Sequence, residues 1–183
     1  MNIAKYFVDA WNVLIKNLGT IIISLIIVII LSVVTLGILY LPLMIGLQMM
    51  FVKAVRGQPI SSNEVLDPIK RYFSLAFGAM GIGILVIFGF LLLVVPGLAW
   101  SSWWMYALLF IYDKNLHIED GMRASKEVVR KNGVWWHLLF LVVVWVVDNI
   151  FVWFLGPLGF LFKLITTPLT KGAIACAYAD ESK

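Results

Sequence analysis

Residues 75–112 carry no charged side chain, and two further uncharged blocks occupy residues 18–39 and 133–147. An apolar run of roughly 18 residues or more is long enough to cross a hydrocarbon layer about 30 Å thick. Composition points the same way. The chain of 183 residues is 62% hydrophobic and 13% charged, where soluble domains run at about 45–50% and 25%. Its mean hydropathy is +0.99. A membrane β-barrel would show short alternating segments in place of solid blocks. The predicted class is an all-α polytopic membrane helix bundle. Asp9 and Lys16 precede a first block too long for a secretory h-region, and no A-x-A site follows it, so that block is expected to stay as a membrane helix. Cys176 is the only cysteine, which excludes an internal disulfide and a cysteine metal cluster.

One layout repeats three times, in residues 1–57, 58–115 and 116–183: a polar–apolar stretch, a long apolar block, a Gly/Pro turn and a shorter return. The turns fall at 36–42, 94–97 and 155–159, and Pro42, Pro96 and Pro157 open the returning helices, where a missing N–H costs least. The leading stretches read as amphipathic interfacial helices. In the first, Ile3, Ala4, Phe7, Val8, Trp11, Leu14 and Ile15 form an apolar stripe opposite Lys5, Asp9, Asn12 and Lys16. In the second, Ser61 and Glu64 have capping-box spacing, Asp67–Pro68 reads as a second helix start, and Val65, Leu66, Ile69, Tyr72 and Phe73 supply the stripe. In the third, Glu119/Arg123 and Glu127/Lys131 are spaced as i,i+4 ion pairs, and Gly121, Ala124, Ser125 and Val128 make a small face suited to close helix approach. The prediction is six transmembrane helices in three hairpins. The returning helices are the short ones, and the sixth reads as broken by Lys163, Pro168 and Lys171.

Six spans put both termini and the two long loops on one side, together with every one of the 14 basic residues except Lys163. The positive-inside rule makes that side cytoplasmic. The expected location is therefore the cytoplasmic membrane, multi-pass, with both termini inside. The pI near 9.2 is read as this asymmetry and not as a sign of nucleic-acid binding.

Asp148 and Lys163 interrupt the last apolar stretch. A lone charge at mid-bilayer costs roughly 2.5–3.5 kcal/mol. The two lie eight residues before and seven after Gly156, roughly 12 and 10 Å from the turn at 1.5 Å per residue. Adjacent antiparallel helices would hold them level, able to pair as an intramembrane clip, with Asn149 adding a hydrogen bond. Two alternatives stand beside this: Asp148 lines a polar path for protons or a small ion, or Lys163 snorkels outward. The glycines of residues 78–90 have no adjacent lysine and read as packing: Ser74/Gly78 and Ala79/Gly83 have small-xxx-small spacing. His117 and His137 read as interfacial, with no carboxylate at metal-ligand spacing. Of the eight tryptophans, Trp11, Trp135 and Trp136 suit the cytoplasmic interface and Trp100 and Trp153 the outer one, while Trp103, Trp104 and Trp145 should sit deeper. Lys16, Lys70, Arg71, Lys126, Arg130 and Lys131 form a basic cytoplasmic face. No Ser-His-Asp set, Walker loop, CxxC or HExxH occurs, and no cofactor is expected.

Residues 95–139, VPGLAWSSWWMYALLFIYDKNLHIEDGMRASKEVVRKNGVWWHLL, combine a Pro-Gly helix start, a long apolar run, an Asp-x-Asn turn, an acidic-glycine step and an Ala-Ser…Lys-Asn helix. This resembles a loose group of bacterial and archaeal six-span membrane proteins of unknown function, and is similar to the membrane domain attached to some glycerophosphodiester phosphodiesterases. The resemblance implies a six-helix cytoplasmic-membrane protein without assigned catalytic residues. With no hydrolase domain here, it carries over no phosphodiesterase activity. The expected function is a non-enzymatic scaffold or accessory protein that meets membrane lipids, or a membrane or cytoplasmic protein partner, through the basic face. The alternative is a small-solute or proton-coupled transporter using Asp148 and Lys163.

Overall fold

The computed structural model describes residues 2–92 and 94–182, and the described residues are helical with no strand among them. The chain runs α1 (Ile3–Lys16), α2 (Leu18–Val34), α3 (Tyr40–Val55), a 3-10 segment (Ser62–Arg71), α4 (Tyr72–Leu92), α5 (Val94–Trp103), α6 (Ala107–Asp113), α7 (Ile118–Asn132), α8 (Val134–Leu155), a second 3-10 segment (Gly156–Phe162) and α9 (Lys163–Glu181). The order repeats three times: a leading segment, an outgoing helix, a return.

Local chemistry sets the joints. The Asn2 side chain caps α1 by accepting from the Lys5 amide at 3.1 Å. Asn17 ends α1: both its backbone N–H and its side-chain amide donate to the Val13 carbonyl, each at 3.1 Å. The chain then bends by 94° into α2. The first hairpin turns through Leu36 and Gly37 at φ +52° and +85°; the Gly37 amide reaches back to the Ser32 carbonyl at 2.7 Å, a helix-ending bond that favours glycine. Between α5 and α6 the helix breaks at residues 104–106. Ser125 of α7 bridges the break, donating to the Trp103 carbonyl at 2.7 Å and accepting from the Tyr106 amide at 3.2 Å. Pro42, Pro96 and Pro157 all lie in the first turn of a returning segment.

The returning helices form the interior. α3 is buried at every position from 42 to 52 except Gln48, and α9 is buried from Gly172 to Ala179. α6 joins them, with Phe110 meeting Tyr178 edge-on at 4.9 Å. The outgoing helices form the outer layer and turn large apolar side chains outward: Phe73, Phe77, Met80, Ile84 and Leu91 on α4, and Trp135, Leu139, Val142 and Trp145 on α8. Meanwhile Ser24, Ser102, Ser125, His137, Thr166 and Thr170 are buried. Exposed apolar faces of that extent are foreign to a water-soluble monomer.

Several sequence expectations are revised. Among the described residues two helical stretches are long and apolar enough to cross a membrane, Ser62–Leu92 and Val134–Glu181. A third appears if the bent α1–α2 pair counts as one, and α3 is apolar but shorter. The stretch Val134–Glu181 is itself folded at Gly156, since Lys163 touches Asp148 across the turn. The fourth leg is two short helices, α5 and α6. The sixth changes from 3-10 to α-helix at Lys163 but is not broken at Pro168 or Lys171: α9 runs through both, so Lys171 sits mid-helix and not in a terminal loop. The segment after Ser61 is a 3-10 helix in which Ser61 makes no side-chain cap; Glu64 instead binds Lys53 of α3 at 3.0 Å. Neither the Glu119/Arg123 nor the Glu127/Lys131 pair closes among the described residues. Their helix is held through its small face, where Gly121 lies against the Ala107 carbonyl and the Ile111 side chain. The buried stripe of α1 is Tyr6, Ala10, Val13 and Leu14, leaving Val8, Trp11 and Ile15 exposed.

Candidate functional site

Asp148 on α8 and Lys163 at the start of α9 meet across the third turn, Nζ to Oδ2 at 3.2 Å, with Lys163 also donating to Asn149 Oδ1 at 3.3 Å. Two threonines complete the shell of Asp148: Thr167 donates to Oδ1 at 3.1 Å, and Thr170 approaches the same oxygen at 3.4 Å while bonding the Thr166 carbonyl at 2.9 Å. Both carboxylate oxygens are thus engaged. Lys163, Thr167 and Thr170 stand one turn apart on one face of α9, a spacing visible in the sequence.

A second polar cluster lies at the opposite end of the same hairpin. His137 is fully buried within the protein. Its Nδ1 stands 2.9 Å from the Gly133 carbonyl and its Nε2 2.8 Å from Glu181 Oε2. A carbonyl only accepts, so Nδ1 carries a hydrogen, and the second contact holds a hydrogen between imidazole and carboxyl. Tyr6 of α1 donates to the other Glu181 oxygen at 2.9 Å. Burial, then the Glu181 charge, pushes the Tyr6 phenol well above its ordinary value and keeps it a donor. Three elements distant in sequence are tied at one carboxylate, which no local pattern announces. Lys5 and Asp180 pair beside it at 2.9 Å.

The third cluster joins the inner helices. Arg56, just past α3, grips Asp113 at the end of α6 with two bonds of 3.0 and 2.8 Å, and Tyr178 of α9 donates to Asp113 at 2.7 Å. Burial pushes the Asp113 carboxyl up, but the hydrogen bonds from Arg56 and Tyr178 outweigh it and hold the group below its ordinary value. A depressed carboxyl stabilises the fold at pH values above its unfolded value, and that stability is lost as pH falls through the folded value. Asp113→Asn is therefore expected to cost about 1.5–3 kcal/mol at neutral pH. The deficit should shrink on acidification below about pH 4, read as thermal midpoints in detergent across a pH series.

The basic face divides. Lys16, Arg130 and Lys131 are exposed. Lys70 is exposed and pairs with Asp67 at 3.3 Å. Arg71 is not a free surface cation: it donates to the Ile111 carbonyl at 2.9 Å and so braces α6. Lys126 lies over the Trp103 ring at 4.5 Å. His117 is exposed at the head of α7 and shares with Arg71 a cavity of about 770 Å³, whose rim carries Glu119 and Asp120. Two carboxylates and a committed arginine make it a poor place for an anion. Of the small-residue pairs on α4, Gly78 is buried against Ile111 and Leu108, whereas at Gly83 a Cβ would meet nothing within 4 Å. Close approach occurs instead between Gly89 and Gly97, at 3.1 Å for a Cβ built on Gly89, a contact the sequence reading missed. Among the described residues no three His, Cys, Asp or Glu side chains gather in a way that could hold a metal ion. Compared with known proteins, the chain matches no family model, no curated protein and no solved structure.

Proposed function

We propose that this chain is a six-leg integral protein of the cytoplasmic membrane, with both termini inside. On this reading it serves as a non-enzymatic scaffold or accessory protein that engages anionic lipid or an acidic partner through Lys16, Arg130 and Lys131. The observation that carries the membrane reading is the inverted burial: apolar α2, α4 and α8 face outward while the more polar α9 fills the centre. α2, α3, α4, α5–α6, α8 and α9 are the six legs, with the short inner ones shielded by the outer ones. α1 and α7 flank the bundle on the side rich in lysine and arginine, where each cation near an anionic leaflet contributes on the order of 1 kcal/mol. The transporter reading draws less support, because the oxygens of Asp148 are already occupied by Lys163, Thr167 and Thr170.

Membranes carrying the protein should retain it on alkaline carbonate washing. The purified chain should carry anionic phospholipid in native mass spectrometry and lose most of it when Lys16, Arg130 and Lys131 are all changed to glutamate. Recovery of the charge-reversed protein with unchanged lipid, together with no partner in cross-linking from membranes, would overturn the assignment.

A further inference from the structure

We infer that the seam between α2 and the last hairpin is a binding site for a single long-chain carboxylate, with its alkyl chain along the seam and its head against Lys163. Two cavities lie end to end there. The larger, about 480 Å³, is walled by Leu18, Ile21 and Ile22 on one side and by Leu161, Ile165 and Pro168 on the other. The smaller, about 200 Å³, passes Tyr40 and Met44 and ends on Lys163 and Thr167. Leu25 and Leu164 belong to both walls, so the two spaces adjoin across that pair. Together they follow α2 from Leu18 to Ile29, about 16 Å at 1.5 Å per residue. The space is long, narrow and apolar, with a cation at one end, and so has the form of a one-chain amphiphile with a negative head.

Charge selects that head. An ammonium has three hydrogens; Lys163 gives two to Asp148 and Asn149, which leaves one for a ligand on the wall it shares with Tyr40. Lys171, two turns further along α9, lies in the field of both Asp148 and Lys163 and makes no hydrogen bond among the described residues. The formal count is two ammonium groups to one carboxylate. An unbalanced charge in an apolar interior is costly, and a second carboxylate balances it. Lys163 stands at the inner end of the 3-10 segment that leads in from the hairpin turn, and the space beside it is small. A bare carboxylate on one chain fits there; a glycerophosphate carrying a second chain does not.

This inference rests on the membrane embedding proposed above but not on the basic face. The direct test is binding of radiolabelled palmitate to the full chain in detergent, with hexadecanol and a phosphatidylglycerol as competitors. One palmitate per chain is expected, displaced by neither competitor. Leu25→Trp, which fills the seam where the cavities meet, should weaken binding about tenfold or more; Ile22→Trp, further along the larger cavity, serves the same purpose if the first variant does not fold. Lys171→Gln, which removes the surplus ammonium and leaves the Asp148–Lys163 pair in place, should weaken it similarly. Equal binding of hexadecanol, displacement by the phospholipid, or undiminished binding in the seam-filling and charge-neutral variants would overturn the site. Failure of the membrane reading itself would show separately, as protein released by the carbonate wash.

Discussion

Asp148→Leu alone is expected to destabilise the protein by about 3 kcal/mol, at the lower end of the range for breaking a buried ion pair. Asp148→Leu combined with Lys163→Met is expected to be neutral or stabilising by about 1–4 kcal/mol. The asymmetry follows from what each change leaves behind. The single substitution strands the Lys163 ammonium on Asn149 alone and deprives Thr167 of its acceptor. The double substitution removes both charges, and two apolar side chains take their place in an apolar setting. The lower end applies because the pair is only partly buried in the protein: its side chains are 31% and 21% exposed. Equilibrium unfolding in mixed micelles, followed by far-ultraviolet circular dichroism as the denaturing detergent is raised, gives both numbers. If the double variant were as unstable as the single one, Asp148 would be working through the threonines of α9, and the picture of a self-contained clip between α8 and α9 would be wrong.

The alternation of outgoing and returning helices was legible because charge, glycine and proline punctuate it. Pro42, Pro96 and Pro157 mark the starts of three returns, and uncharged blocks mark the outgoing legs. What was illegible was which apolar face packs against protein and which is left exposed. In water the distinction is written in polarity; in hydrocarbon both neighbours are apolar and the periodicity carries no such label. α1 illustrates this. Of the sequence stripe, Val8, Trp11 and Ile15 are left exposed while the helix packs through Tyr6, Ala10 and Val13; Leu14, with the partly buried Ile3 and Phe7, serves both descriptions. α9 inverts the usual signal altogether. Lys163, Pro168 and Lys171 read as breaks in the span, but a helix surrounded by other helices has no need to be apolar, and its small residues let the neighbours close in. The partners of His137 were equally hidden: next to Trp135 and Trp136 it read as part of an interfacial belt, and only the fold brings Glu181 to it, with Tyr6 on the other oxygen of that carboxylate. Glu64 had a legitimate local partner in Ser61 and was taken by Lys53 instead, a tertiary contact overriding a local cap. Lys171, counted in the sequence among the cations of a terminal loop, lies instead in the middle of α9.

Gly46→Ala should be destabilising by about 2 kcal/mol, although alanine is the better helix former by about 1 kcal/mol. The 3-10 segment Ser62–Arg71 lies directly on α3, and a Cβ at position 46 would run into the backbone of Val65, including its carbonyl. Val65 is fully buried, and Glu64 beside it is tied to Lys53, so neither side can retreat without parting the two elements. Overpacking of this kind costs typically 1–3 kcal/mol where side chains can yield, and more where they cannot; here the obstacle is main chain, which puts the gross cost at the top of that range before the helix gain is deducted. Gly83→Ala is the control. It is also a mid-helix glycine in an apolar helix, but its Cβ would meet nothing, so the helix term stands alone and the variant should be stabilised by up to about 1 kcal/mol. Opposite signs for one substitution at two positions separate packing from propensity within a single experiment, read in the same micellar unfolding assay. Equal shifts of either sign would mean that the 3-10 segment does not rest on α3 as described. The leading segments would then be surface ornaments on the hairpins rather than wedges that set the spacing of the inner helices.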